Sequence, residues 1–216
     1  LNSIILLSEM LKKNDSIADT EKEKLCVIRN AGGELLELIN NLLDISKIES
    51  GKVELLFESV STIDLIRRLE RDFSAISENS NVPLLIEDNL KCQITTDRQK
   101  LMQILSNFLS NAFKFTSEGS VSLVLEESSL PGYSFALSVS DTGIGIRKDK
   151  LSYIFEEFRQ GDGSITREFG GTGLGLAICK KTADLLNGKV VVESLLGQGS
   201  KFTVHLPGDW EISSKD

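Results

Sequence analysis

The stretch Gly170-Gly171-Thr172-Gly173-Leu174-Gly175-Leu176 leads directly into a helix-type pattern predicted over 172–186. Glycines at the start of a helix leave backbone N–H groups accessible, and such groups bind phosphate. The stretch is not a P-loop, because no Lys-Ser or Lys-Thr pair follows at the required spacing. Close packing where the helix begins is the alternative explanation. Eight of the chain's 17 glycines lie between Gly143 and Gly175, so the preceding loop is also rich in glycine.

A second glycine motif lies upstream, where Asp141-Thr142-Gly143-Ile144-Gly145 follows a predicted strand. A carboxylate at a strand end, followed by two glycines, lets a flat ligand approach the backbone closely. Asp141 can accept a hydrogen bond from an exocyclic amine such as that of adenine, although a plain turn has the same pattern. Between the two motifs, Phe155 and Phe158 either hold the glycine-rich loop down or form an ordinary apolar cluster.

Two asparagines, Asn107 and Asn111, are four residues apart on a predicted helix, so their side chains share one face. Carboxamide oxygens suit a hard cation such as Mg²⁺, but two amides on a helix surface also occur without any ligand. Lys114 follows on the same helix and Arg159 lies in the glycine-rich loop. Both supply positive charge that suits a phosphate group.

The first 50 residues are patterned differently from the rest. Residues 1–13 carry an apolar helical face, and a long helix without proline is predicted from a capping box of Thr20 and Glu23 to Ser50. Apolar residues recur along it at alternating spacings of three and four, as in a coiled coil. This seam comprises Leu25, Ile28, Gly32, Leu35, Ile39 and Leu42. So much apolar surface predicts a helical hairpin that dimerises into a four-helix bundle.

Residues 51–216 mix strand and helix patterns, which predicts a second domain. The last four predicted strands form neighbouring pairs, so the pattern favours an α+β two-layer sandwich over a doubly wound parallel sheet. The complete fold prediction is therefore an all-α hairpin followed by this sandwich. Strands are predicted at 52–57, 82–87, 120–127, 133–140, 189–194 and 201–206, and helices at 61–76, 97–112 and 172–186. Ser61 and Asp97 are the predicted caps of the first two helices, and the Pro131–Gly132 turn is predicted to join the strands at 120–127 and 133–140. The predicted core-facing residues of the first of these helices are Ile66, Leu69, Phe73 and Ile76.

The overall composition excludes several classes of protein. The formal charge of −8, from 24 Lys+Arg and 32 Asp+Glu, disfavours nucleic-acid binding and contact with an anionic membrane. No apolar run approaches the roughly 20 residues that cross a bilayer, so a cytoplasmic location is expected. Three widely spaced cysteines argue against a zinc site or a disulfide framework, and the single histidine, His205, excludes a multi-histidine metal site.

The order of these motifs resembles the catalytic core of sensor histidine kinases, whose ATP-binding class is shared with gyrase and mismatch-repair ATPases. Residues 107–116 match the N box, 141–145 the first glycine box, 155–158 the F box and 170–176 the second glycine box. Residues 1–50 resemble the family's dimerisation and histidine-phosphotransfer hairpin, and 51–216 its ATP-binding domain. The stretch 158–173 is similar to the hybrid subgroup, whose kinases often carry receiver domains.

The resemblance implies that ATP and Mg²⁺ are the cofactors. Asn111 would hold Mg²⁺ between the phosphates, and Asn107 would orient the nucleophile beside it. Lys114 would contact phosphate, and Arg159 would stabilise charge on the γ-phosphate. The implied partners are a second copy, bound through residues 1–50, and the receiver domain of a response regulator.

The resemblance also implies the residues that bind the nucleotide. Asp141 would bind the adenine amine, and Gly143 and Gly145 would let the base approach. Gly171, Gly173 and Gly175 would form the mobile lid hinge and phosphate cradle, and Phe155 and Phe158 would position the lid. Thr172 and Leu174 complete the implied set of nucleotide-binding residues, to which Phe158 also belongs.

The family's phosphorylated histidine lies in an H box upstream of a Leu-Asn pair, and this chain begins with Leu1 and Asn2. The hairpin is thus expected to be truncated before the H box. His205 cannot replace the acceptor, because it lies in the last predicted strand of the nucleotide domain. We expect the chain to bind Mg-ATP without autophosphorylating, with any sensor or membrane anchor upstream of Leu1 and any receiver domain downstream of Asp216.

Two other classes of function stay open. One is a related ATPase or serine kinase of the same ATP-binding class. Such ATPases carry Glu where Asn107 stands and add a transducer domain, and the serine kinases lack the hairpin. The other is a non-catalytic dimeric scaffold that binds nucleotide. The four intact motifs argue against a scaffold, and the missing acceptor histidine argues for it.

Overall fold

The structure is a computed structural model that describes residues 1–14, 17–158, 172–208 and 210–212. The chain divides into two units, residues 1–50 and 51–216. The first unit contains helices α1 (Asn2–Lys12) and α2 (Asp19–Glu49). The elements of the second unit are β1 (Phe57–Ser61), α3 (Thr62–Ser80), β2 (Leu84–Asp88), β3 (Cys92–Asp97), α4 (Arg98–Phe115), β4 (Val121–Glu127), β5 (Phe135–Asp141), α5 (Gly175–Leu185), β6 (Lys189–Leu195), β7 (Gly199–Leu206) and β8 (Trp210–Ile212).

The predicted hairpin of the first unit is present, and a glycine lets its helices approach closely. A Cβ added at Gly32 would lie 3.1 Å from Cγ1 of Ile5, so α1 packs against α2 where the side chain is smallest. The rest of the predicted seam is largely uncovered. Leu35, Ile39 and Leu42 are 47%, 38% and 42% exposed. Packing of α1 on α2 therefore leaves most of the apolar stripe without a partner in this unit.

The predicted capping box of Thr20 and Glu23 is wrong. α2 begins at Asp19, and the carbonyl of Ala18 accepts a hydrogen bond from the N–H of Glu21 at 2.9 Å. Thr20 thus lies inside the first turn and caps nothing. Asp19 and Glu21 in this turn complement the positive end of the helix dipole instead.

The predicted α+β sandwich is confirmed in the second unit. Its main sheet has the strand order β2-β4-β5-β7-β6, in which the β2–β4 pair is parallel and the other pairs are antiparallel. A smaller antiparallel sheet has the order β1-β3-β8. The helices α3, α4 and α5 bury their apolar faces in a core shared with the main sheet. Within the described residues, no helix has the length and apolar content to span a bilayer.

α4 supplies much of this core. Asp97 caps it as predicted, because Oδ1 accepts a hydrogen bond from the N–H of Lys100 at 3.0 Å. Seven of its residues are buried, and Phe108 is fully enclosed, with its ring centroid 5.4 Å from that of Phe202 on β7. This packing fixes the rotation of α4 and hence the direction of its remaining faces.

The predicted strand at 52–57 is wrong, and β3 was not predicted. β1 begins only at Phe57, where it pairs with Asp97 in an antiparallel register that ends at Ser61 and Gln93. The alternating pattern of 52–57 therefore lies mostly before the strand. β3 was missed because its sequence is largely polar and its pairing partner is distant in the chain.

The predicted inward face of α3 is partly wrong. Leu65, Leu69 and Phe73 are buried at spacings of four, whereas Ile76 is 44% exposed. Seven residues are nearly two full turns, so Ile76 lies on the same face as Leu69 but closer to the end of α3 at Ser80. The predicted cap is confirmed, since Ser61 Oγ accepts a hydrogen bond from the N–H of Asp64 at 3.4 Å.

Candidate functional site

The predicted asparagine pair lies half-buried along one face of α4. Nδ2 of Asn111 donates a hydrogen bond to Oδ1 of Asn107 at 3.1 Å. In this arrangement Oδ1 of Asn111 accepts no hydrogen bond from any described residue. A carboxamide oxygen held in place and left free is the kind of ligand that Mg²⁺ takes from proteins.

α5 begins directly against this pair. A Cβ added at Gly175 would lie 2.7 Å from both Oδ1 and Nδ2 of Asn107, closer than such atoms approach in real proteins. Any side chain at 175 would therefore displace the amide of Asn107, which agrees with close packing, one of the two explanations for the motif. The same contact places the start of α5, whose first N–H groups have no partner within the helix itself, beside the asparagine pair.

A side-chain hydrogen bond lies within residues 172–174, directly before α5. The N–H of Leu174 lies 3.3 Å from Oγ1 of Thr172, and Leu174 is fully buried. Gly173 has a φ of +69°, a backbone conformation that favours glycine. Leu174 thus anchors this end of the glycine motif in the core.

Asp141 is the last residue of β5, as predicted. Its Oδ1 accepts a hydrogen bond from the N–H of Gly143 at 2.9 Å. Burial raises the pKa of Asp141 above its ordinary value, while the N–H groups of Gly143 and Ser200 lower it in part. A partly buried carboxyl group of this kind gains from a further donor on a ligand.

Glycine lets the loop after β5 run close to two other elements. A Cβ at Gly143 would collide with the carbonyl oxygen of Phe115, to which Ile144 donates a hydrogen bond at 3.2 Å. Gly145 has a φ of +65°, and a Cβ there would collide with the carbonyl oxygen of Leu195. The loop that follows Asp141 is therefore held against both the end of α4 and the β6–β7 hairpin.

The two phenylalanines of the F-box motif differ in burial. Phe155 packs edge-on against Phe202, with the ring centroids 6.5 Å apart. Phe158 is 61% exposed and has a φ of +59°, which is rare for an aromatic residue. Between them, Glu157 forms a salt bridge of 3.0 Å with Lys181 on α5. Phe155 and Glu157 thus secure this loop, while Phe158 is left at its surface.

The predicted basic residues are only partly described. Nζ of Lys114 lies 5.3 Å from the centroid of the Phe115 ring, at the last turn of α4. Arg159 and Gly171 lie outside the described residues. Among the described residues, no group of three His, Cys, Asp or Glu side chains could hold a metal ion. A predicted Mg²⁺ site therefore rests on Asn111 and on oxygens that a nucleotide would bring.

Sequence reasoning missed Ser194, which holds the first glycine motif in place. Its Oγ accepts a hydrogen bond from the N–H of Ile146 at 2.7 Å and donates one to the carbonyl of Gly199 at 2.8 Å. A serine near the end of a strand carries no local signal of this role, because its partner Ile146 is 48 residues away.

His205 lies in β7 and is 6% exposed. Its Nδ1 is 2.9 Å from Oγ of Ser128, and its ring centroid is 6.1 Å from that of Tyr133. Burial, together with Lys189 and Lys201, lowers the pKa of His205. A histidine enclosed in this way is a structural strand residue, as predicted.

Two family models match the chain. Residues 96–209 match the model of histidine kinase-, DNA gyrase B- and HSP90-like ATPases, and residues 1–51 match the His Kinase A phospho-acceptor domain. The chain belongs to this ATPase family, and the phospho-acceptor domain that precedes the ATPase domain defines it as a histidine kinase catalytic core.

Similar proteins agree with this membership. The autoinducer 2 sensor kinase/phosphatase LuxQ of Vibrio parahaemolyticus is 43% identical over 96% of this chain and 25% of its own length. The chain thus spans about a quarter of this curated relative. Several relatives from Dictyostelium discoideum are named hybrid signal transduction histidine kinases, which fits the predicted subgroup.

Solved histidine kinases share the fold over nearly the whole chain. The match to full-length ShkA in complex with AMPPNP has a TM-score of 0.80 and 30% sequence identity. It covers 97% of this chain and 43% of the ShkA chain. The match to ThkA, solved in complex with the response regulator TrrA, has a TM-score of 0.70 and 25% sequence identity. It covers 95% of this chain and 57% of the matched chain.

Proposed function

We propose that this chain is the ATP-dependent catalytic core of a protein-histidine kinase in a two-component phosphorelay. Residues 1–50 serve as the dimerisation and phosphotransfer hairpin, and residues 51–216 bind ATP. The observation that carries the proposal is the position of α4 between the two glycine motifs. Gly175 packs against Asn107 on this helix, and Gly143 packs against the carbonyl of Phe115 at its end.

The residues around α4 suit a nucleotide. Asp141 has the burial and position to accept a hydrogen bond from the adenine amine, and Gly143 lets the loop after it run close to the carbonyl of Phe115. The N–H groups at the start of α5 suit phosphate. Similarity to the AMPPNP-bound ShkA supports ATP as the ligand. Use of ATP places the proposed activity in the cytoplasm.

Oδ1 of Asn111, which accepts no hydrogen bond within the described part of the chain, suits Mg²⁺, which takes few protein oxygens and completes its shell with water and phosphate oxygens. When bound, Mg²⁺ would neutralise charge on the phosphates. Asn107 is held beside Asn111 by their hydrogen bond and would orient the nucleophile. Lys114 and Arg159 would add positive charge, and residues 171–175 with Phe158 would cover the phosphates.

The proposed partners are a second copy of the chain and a receiver domain. The exposed apolar seam of α2 supports the second copy, because a helical hairpin buries such a stripe by association. The similarity to ThkA, solved with the response regulator TrrA, supports the receiver domain.

The one histidine of the chain is buried in β7, so we expect no autophosphorylation within these 216 residues. This feature also favours the alternative of a dimeric, nucleotide-binding scaffold without catalytic activity. The match of residues 1–51 to the phospho-acceptor domain argues against a related ATPase or a serine kinase.

Phosphotransfer to a separate acceptor chain tests the proposal. The chain is incubated with γ-labelled ATP and Mg²⁺, with and without a partner that carries a complete hairpin with its H box and the substitution Asn111→Ala. We expect acid-labile label on the partner only, because only the partner carries the H box. Since the partner's own nucleotide site is disabled by Asn111→Ala, the label must come from ATP bound to the 216-residue chain. Asn111→Ala in both chains is the matched control and should abolish the label. ATP binding without transfer in any mixture would favour the scaffold.

A binding experiment tests the adenine site separately. Asp141→Ala should weaken ATP binding by about tenfold or more, because it removes a charge-assisted hydrogen bond. Asp149→Ala is the matched control, since Asp149 is an exposed carboxylate that pairs with Arg147 at 2.8 Å. Isothermal titration calorimetry measures both, and equal affinities would refute the assignment of Asp141.

A further inference from the structure

β6 forms one edge of the main sheet. Its pairing with β7 runs without interruption from Lys189 opposite His205 to Leu195 opposite Gly199, so no bulge interrupts it. No described strand pairs with its other side. Alternate backbone N–H and C=O groups of an edge strand point outward, where they can pair with another strand.

The sequence of β6 is complementary to itself. Residues 189–193 read Lys-Val-Val-Val-Glu, and Lys189 and Glu193 are exposed at the two ends of a half-buried valine run. Side chains two and four residues apart share one face of a strand. If two copies pair antiparallel about Val191, Lys189 of each copy lies opposite Glu193 of the other. Opposite charges in such positions stabilise a strand pair.

The charges near β6 favour the same arrangement. Within the described residues, neither Lys189 nor Glu193 belongs to a salt bridge. On β7, Lys189 lies opposite His205 and Glu193 lies opposite Lys201. Lys189 therefore has no acidic partner across the ladder in one copy, and a second copy would provide one.

The opposite edge of the sheet lacks this complementarity. β2 has only five residues, follows Pro83, and carries the acidic Glu87 and Asp88 without any basic residue. No antiparallel pairing of β2 with its own copy can bring opposite charges together. Both β2 and β6 are sheet edges, but only β6 carries charges that can pair with those of its own copy. This charge complementarity, and not exposure alone, distinguishes β6 as a site for self-association.

We propose that the free edge of β6 binds β6 of a second copy in antiparallel orientation, with Val191 on the two-fold axis. The two five-stranded sheets then form one continuous sheet. This contact is distinct from the proposed association through residues 1–50, so the two together would link hairpin dimers into larger assemblies. It requires no nucleotide, and its test does not depend on the proposed kinase activity.

A charge-exchange series tests the contact. Sedimentation velocity of the full chain, without nucleotide, gives the association constants of wild type, Lys189→Glu, Glu193→Lys and the double variant. Each single variant places like charges opposite each other twice in every interface, so we expect β6 association to weaken about tenfold. The double variant should associate like the wild type.

A mixture of the two single variants provides a stricter test. Lys189→Glu is acidic at both ends of the strand and Glu193→Lys is basic at both ends, so together they restore two opposite-charge pairs. We expect β6 association in the mixture to be about tenfold stronger than in either variant alone. Single variants that associate like the wild type, or a folded double variant that does not recover, would overturn the proposal. Circular dichroism verifies the fold of each variant.

A site-directed disulfide tests the two-fold register. Directly opposed residues of an antiparallel pair have Cα atoms about 4.5–5.5 Å apart, which a disulfide can bridge. In a Cys26→Ser background, Val191→Cys should form cross-linked dimers under mild oxidation. Leu85→Cys, at a 53% exposed position on β2, is the matched control and should not. Equal cross-linking at both positions would contradict the register. Adding Lys189→Glu should slow cross-linking at residue 191 about tenfold.

Discussion

The two units of this chain place their apolar residues in opposite environments. α4, in the second unit, buries seven residues, and Ile104 and Phe108 among them are fully enclosed. α2, in the first unit, is much longer but buries only Gly32 and Ile45. The second unit thus carries its own core. The first unit exposes its apolar residues, and an exposed apolar surface of this kind is typical of a protein interaction site.

This difference separates the two proposed tasks. A nucleotide site needs side chains held in position, and the core around α4 does this for Asn107 and Asn111. A phosphotransfer hairpin needs a surface that other chains can recognise, and the uncovered seam of α2 provides one. We therefore expect substitutions in the two units to affect different measurements.

The largest effect is expected in the core of the second unit. Phe108→Ala should lower the free energy of unfolding by about 3–5 kcal/mol, because it removes a fully buried ring and leaves a cavity. Urea titration followed by circular dichroism measures the change. Phe57→Ala is the matched control, since Phe57 is 55% exposed, and should cost less than about 1 kcal/mol. If the two substitutions lowered the free energy of unfolding equally, the contrast between buried and exposed positions would be contradicted.

The next largest effect concerns association of the first unit. Leu35→Glu combined with Leu42→Glu should raise the dissociation constant of the hairpin dimer about a hundredfold or more, because two exposed leucines per copy lose their partner surface. Sedimentation equilibrium measures this. The unfolding of the second unit should stay the same. Glu37→Gln, at an exposed polar position of α2, is the control. A dimer unaffected by the double substitution would refute the proposed seam.

A smaller effect is expected where α5 meets α4. Gly175→Ala introduces a Cβ into the amide of Asn107, so ATP affinity should fall about tenfold as the asparagine pair shifts. Gly33→Ala in α2 is the matched control, because its Cβ would meet nothing within 4 Å. It should leave ATP affinity unchanged and stabilise α2 by about 0.5–1 kcal/mol. Calorimetry with ATP and thermal unfolding separate the two results.

The smallest effect is the pH dependence that Asp141 contributes. The pKa of Asp141 is raised in the folded chain, so its protonated form favours the fold. This contribution is present below the ordinary value of 3.8 and is lost as the pH rises through the raised pKa. Relative to Asp141→Asn, the wild type should therefore lose stability on going from acidic to neutral pH. Urea midpoints at several pH values test this, and parallel curves for the two proteins would contradict it.

Several features of the fold were predictable because their signals are local. Ser61 and Asp97 cap helices through N–H groups only three residues away, and the Pro131–Gly132 turn separates two strands that pair with each other. The features missed or mistaken depend on distant partners. β3 is a strand because β1 and β8 pair with it, and its only apolar residues are Cys92 and Ile94.

The candidate site divides in the same way. The motifs around Asn107, Asp141 and Gly175 were recognisable because each needs particular residue types at short spacing. The close contact of Gly175 with Asn107 was not, because it arises across the interface between two helices. Ser194 was missed for the same reason.

By itself, the sequence determined the helical hairpin, the α+β sandwich and the order of the four nucleotide motifs, because periodicity, caps and short motifs act over a few residues. Only the tertiary structure decided which glycines lie against other segments, which apolar residues stay exposed and which strands form the sheet edges. These properties depend on contacts between segments far apart in the chain, and local spacing does not encode such contacts.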